Sequence, residues 1–130
     1  MQPCRIGAAL AEHTRAPAPF VFTDWRCAVD ALLGLGRDQE IPVVIDEFPY
    51  LVRATPSLPS VIQNALAPLR PERDRSRTRL LLCGSAMSFM GRLLAGDAPL
   101  RGRASLELVV RTLDHQLAAQ FWGSTTQSSP

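Results

Sequence analysis

The chain contains no lysine; its 14 basic residues are all arginine. That absence removes the phosphate-binding motif Gly-x-x-x-x-Gly-Lys followed by Ser or Thr, whose lysine reaches the terminal phosphates of a nucleotide. Cysteine is scarce as well. Cys4, Cys27 and Cys83 are far apart and odd in number, which gives no metal-ligand spacing and suits a reducing, cytoplasmic compartment. No apolar run approaches the roughly 20 residues that span a bilayer. Glu12, His13 and Arg15 break up the N-terminal region, so no signal-peptide core forms there. His13 and His115 have no ligand partners at metal-binding spacing and are expected at the surface. No Ser-His-Asp or Cys-His arrangement has local support. A formal charge of +2 is too small to imply nucleic-acid binding by itself.

What is present suits a globular domain. The 130 residues are 46% hydrophobic and 20% charged, enough to bury a core within one domain. Residues 1–123 are expected to form it. Ser124 to Pro130, built only of Ser, Thr, Gln and Pro, is expected to be a disordered tail.

Ile6, Ala9, Leu10 and His13 mark a short helix, ended by the Ala-Pro-Ala-Pro run at Ala16 to Pro19. Asp24 is placed to cap a second helix reaching about Leu35, with Trp25, Val29 and Leu32 on its buried face. Pro42 to Asp46 reads as a strand. Leu58, Val61, Ile62, Ala65, Leu66 and Leu69 follow helical spacing. Arg70 to Arg79 is Arg-rich, but it lacks aromatics and is diluted by Glu72 and Asp74, so a solvated loop is expected rather than a nucleic-acid contact. Leu80 to Cys83 reads as a second strand, and Met87, Met90, Leu93 and Leu94 as a short helix with the methionines in the core. Leu106 to Val110 is a third strand candidate. Asp114 is placed to cap a last helix carrying Leu117, Ala118, Phe121 and Trp122. Trp25 and Trp122 are expected as core anchors, and Cys27 and Cys83 as inert thiols on apolar faces. Continuous apolar strands alternating with helices imply an α/β fold of three layers, its parallel sheet covered on both faces.

Five segments in order carry a family resemblance: Val43 to Leu51, an apolar run ending Asp-Glu-Phe-Pro-Tyr-Leu; Leu58-Pro59-Ser60; Cys83-Gly84-Ser85 with Ser88-Phe89-Met90; Pro99 to Arg103; and Leu113-Asp114 with Ala118 and Phe121. Together, over roughly Phe20 to Gly123, the chain resembles prokaryotic AAA-like ATPases of the archaeal-type, STAND-related branch of the P-loop superfamily. The resemblance implies an incomplete P-loop NTPase domain, with a small parallel sheet flanked by helices, and Mg²⁺-dependent hydrolysis of ATP in the intact family. It assigns Asp46 to Mg²⁺ through water and Glu47 to the attacking water. Ser85 matches the sensor 1 position; a plain Gly-Ser turn is the other meaning of that pair. Arg101 and Arg103 lie where an arginine could meet phosphate or act across a subunit contact, Arg103 being the catalytic candidate with the choice between the two left open; surface arginine is the alternative.

Family members carry a strand, a Gly-rich loop and a helix upstream of these segments, so the chain looks like an internal fragment, expected to be inactive as an ATPase on its own. ATP is the implied partner, with self-association or a partner protein next, and with neither membrane nor nucleic acid expected. The rival class is a non-catalytic remnant serving as an interaction or structural module. With the P-loop strand missing, the strand at Pro42 to Asp46 should still lie beside Leu80 to Cys83. The sheet should be left incomplete, with an exposed apolar edge and a tendency to associate.

Overall fold

The computed structural model describes residues 3–122. The expected tail lies outside them. Seven helices and two strands follow in the order α1 (Pro3–Thr14), α2 (Trp25–Gly34), β1 (Ile41–Ile45), α3 (Phe48–Ala54), α4 (Leu58–Ala65), α5 (Pro71–Asp74), β2 (Thr78–Leu82), α6 (Met87–Arg92) and α7 (His115–Phe121). The protein is mixed α/β. β1 and β2 pair in parallel, Ile41 opposite Thr78 through Ile45 opposite Leu82, the neighbours that the family resemblance implied.

The core forms where three helices meet this sheet. Asp24 caps α2, its carboxylate accepting from the Cys27 N–H at 2.8 Å. Trp25, Ala28, Val29, Leu32 and Leu33 then fall on one buried face, as helical spacing requires. Cys27 is two residues out of phase with that face and is exposed, contrary to the expectation of a buried thiol; Cys83 is half-buried. Phe48 and Leu51 of α3 and Leu58, Ile62 and Ala65 of α4 complete the cluster, together with Leu100 from the segment after α6.

α4 is shorter than its apolar stripe. Pro68 disfavours helical backbone at the residue before it and lacks an N–H. The helix ends at Ala65, and Leu69 is exposed with φ +64°.

The arginine-rich stretch is mostly exposed, as expected, but it is not all loop, since it holds α5 and the start of β2. Arg70 pairs with Asp30 of α2 at 3.6 Å and Arg79 with Glu40 at 3.2 Å. Arg73 bonds Asp74, and the Arg77 guanidinium donates to the Asp38 carbonyl. Ser76 and Thr78 donate their hydroxyls to the Leu33 carbonyl at 2.6 and 3.2 Å, seating the start of β2 on the end of α2.

Burial across the sheet is one-sided. Ile45, Leu80 and Leu82 pack against the core, whereas Pro42, Val44, Arg79 and Leu81 are exposed. Covering on both faces, expected from the continuous apolar runs, is therefore not seen among the described residues. Three further expectations are corrected. Leu106 to Val110 is not a strand: it runs exposed and unpaired, because strand propensity forms no ladder without a neighbour. α7 forms with Asp114 as its cap, bonded to the Leu117 N–H at 2.8 Å, yet buries no residue. Phe121 and Trp122 are more than four-fifths exposed, so only Trp25 is a core tryptophan. Met87 is likewise exposed. No described helix is long and apolar enough to cross a membrane.

Candidate functional site

Where a parallel sheet ends at its carboxyl edge, the chain must leave both strands at once, and side chains from two loops converge. Here two backbone hydrogen bonds clamp that edge. The Cys83 N–H donates to the Ile45 carbonyl at 2.9 Å, and the Phe48 N–H donates to the Cys83 carbonyl at 2.8 Å. Asp46 and Glu47 occupy the turn between these bonds.

Asp46 accepts from the Glu47 N–H through Oδ1 at 2.8 Å, which fixes the carboxylate at the end of β1 and leaves Oδ2 without a partner among the described residues. Glu47 adopts the left-handed region, φ 52° and ψ 40°. For a residue with a Cβ this costs about 1–2 kcal/mol. Glu47 precedes α3 but makes no side-chain capping bond, so its carboxylate is free to face outward.

The second loop comes in on a close approach. A Cβ on Gly84 would lie 2.7 Å from Cδ of Pro49 and 3.0 Å from Sδ of Met90, so only glycine lets the chain pass α3 here. That passage sets Ser85 beside the Glu47 turn. Glu47, Pro49, Tyr50, Arg53, Ser85 and Ala86 line a hollow of about 100 Å³.

Of the residues expected from sequence, Asp46, Glu47 and Ser85 share this edge. Arg103 does not line the hollow; it is exposed in the turn after Leu100, whose carbonyl accepts its N–H at 3.0 Å. The Arg101 guanidinium donates to the Gly96 carbonyl at 2.6 Å within its own loop. Arg53, which sequence reasoning passed over, supplies the cation at the hollow and lies over the Tyr50 ring, 6.0 Å from its centroid. The signal was available. Arg53 stands three residues after Tyr50, on the same helical face, once Phe48–Ala54 is recognised as a helix.

Asp46 can hold a hydrated divalent cation through water, and Glu47 can polarise a water. No group of three or more His, Cys, Asp and Glu suited to a metal occurs among the described residues, so a cation here would take most of its ligands from water. A whole nucleotide does not fit. Ligand pockets typically measure roughly 300–1,000 Å³, and no lysine is present to meet phosphates. A larger, open depression of about 540 Å³ lies at the start of α2, lined by Phe22 to Arg26, Thr55, Ser57 and Val61; none of the expected site residues borders it.

No family model matches the chain, and no solved structure does. An uncharacterized protein of Methanocaldococcus jannaschii is 30% identical over 81 residues, a match covering 62% of this chain and 18% of that protein. The match thus spans under a fifth of the relative.

Proposed function

We propose that this chain carries the carboxylate half of an ATP-binding, AAA-like P-loop ATPase domain, with the cytoplasm as its compartment. One observation carries the proposal. Asp46-Glu47 and Gly84-Ser85 leave neighbouring parallel strands at the same edge, and Glu47 and Ser85 line one hollow. Resemblance in the order of the five sequence segments supports it further. Asp46 would hold Mg²⁺ through water, and Glu47 would orient and polarise a water; the cation supplies charge stabilisation when bound. Ser85 can hydrogen-bond that water or an incoming anion. Arg53 is better placed than Arg103 to add positive charge at this edge.

The described residues do not fit the phosphates themselves, so the chain alone is expected to show no steady ATP turnover. Phosphoryl transfer depends almost wholly on positioning and electrostatics. Titration of the chain with Mg²⁺-ATP, with phosphate release followed in parallel, tests this. Weak, Mg²⁺-dependent binding lost in Asp46→Asn supports the proposal, whereas binding indifferent to Asp46 and Mg²⁺ opposes it. The same small hollow and missing lysine favour a second reading, a non-catalytic module acting through contacts with protein; it expects no Asp46-dependent binding of any kind.

A further inference from the structure

Two incomplete features of this fold match each other. The first is the outer edge of β2. In a parallel ladder, successive residues bond alternately to either side. Since the Cys83 N–H donates toward β1, to Ile45, the backbone groups of Leu80 and Leu82 point to the other edge, where no described residue bonds them. Unlike β1, which carries Pro42, this strand has no proline to block pairing. The second is residues 106–110, Leu-Glu-Leu-Val-Val, outside any helix, turn or paired strand and exposed throughout, with Leu106 77% and Val110 82% accessible.

We propose that the open edge of β2 receives Leu106–Val110 of a second copy of this chain, as a third, parallel strand exchanged reciprocally about a two-fold axis. Setting Leu106 beside Thr78 brings Glu107 next to Arg79 on the exposed face, and Val109 next to Leu81, whose other neighbour is Val44. Leu108 and Val110 then join Leu80 and Leu82 on the side facing the core. Apolar residues meet at 108–110, and Glu107 adds a second carboxylate beside Arg79, which already pairs with Glu40; only Leu106, beside Thr78, has an unlike neighbour. The occupant is a second copy because, within one chain, the segment leaves the core at Leu100 and runs free of its own sheet.

Surface area agrees. The chain exposes 9781 Å², against roughly 6,800 Å² for a compact monomer of its mass. Residues outside the described range account for at most roughly 1,600 Å² of the excess. The remainder is above the ~800 Å² that each partner buries in a stable complex of standard size. Leu113, Leu117, Phe121 and Trp122, all exposed, follow directly and extend the same apolar surface.

Sedimentation of the chain across a hundred-fold concentration range tests the exchange, with amide exchange read at both concentration limits. The expected result is a dimer whose residues 80, 82 and 106–110 gain protection as concentration rises. Leu108→Lys, at an exposed position that folding does not need, should give a monomer with unchanged circular dichroism. Glu107→Arg should weaken association at least several-fold, and adding Arg79→Glu should restore it. A chain monomeric throughout, or a dimer indifferent to Leu108→Lys, would overturn the proposal. So would protection of 106–110 that does not depend on concentration, since the segment would then occupy its own edge.

Discussion

Asp24, Glu47 and Gly84 are each held by a specific local constraint: a helix cap, a left-handed backbone and a close approach. The carboxyl of Asp24 lies below its ordinary pKa of 3.8, chiefly because the Cys27 N–H bonds the ionised form. A carboxyl with a lowered folded-state pKa contributes stability in full above its unfolded pKa. That contribution disappears as pH falls through the folded value. The difference in melting temperature between the native chain and Asp24→Ala should therefore be constant above about pH 5 and shrink below the ordinary carboxylate range. At Glu47 the left-handed backbone favours glycine, so Glu47→Gly should raise stability by up to ~1 kcal/mol in denaturant unfolding. Glu47→Ala should not. At Gly84 the sign reverses. Gly84→Ala forces a methyl against the Pro49 ring and should cost about 1–3 kcal/mol by the same measurement.

Among the elements, those whose pattern repeats within one segment were legible in the sequence. Asp24 before Trp25 announced α2, and two apolar runs announced β1 and β2; their adjacency came only from the order of segments in the family resemblance. α3 was hidden because Asp-Glu-Phe-Pro-Tyr was read as a motif, although Phe48, Leu51 and Val52 repeat at helical spacing and Pro49 is tolerated in a first turn. Phe48 is fully buried, so Phe48→Ala should cost about 3–5 kcal/mol, measurable by urea unfolding. Leu106 to Val110, Phe121 and Trp122 show the converse. Their composition suits a strand and a core, but burial needs a partner surface, which local sequence does not record. The site was legible to the same extent. Asp46, Glu47 and Ser85 sit at strand ends and could be placed from the strands, whereas Arg53 depended on recognising α3. Arg103 depended on the course of a long irregular segment, and no local pattern encodes that.

For the whole molecule, the two-stranded sheet, its open face and its unpaired segment describe a core built on one side only. Three helices and Leu100 cover the inner face, while Val44 and Leu81, opposite each other in the ladder, remain exposed. Exposed apolar strand edges promote association, and the proposed self-association and the proposed nucleotide edge draw on different parts of the same sheet. At its carboxyl edge, Asp46, Glu47 and Ser85 are proposed to form the cation-and-water side of a nucleotide site. The most direct measurement is paramagnetic broadening of backbone amide signals during titration with Mn²⁺ in place of Mg²⁺. The expected result is broadening centred on residues 46, 47 and 85 that is lost in Asp46→Asn. Broadening centred elsewhere, or unchanged by Asp46→Asn, would contradict it.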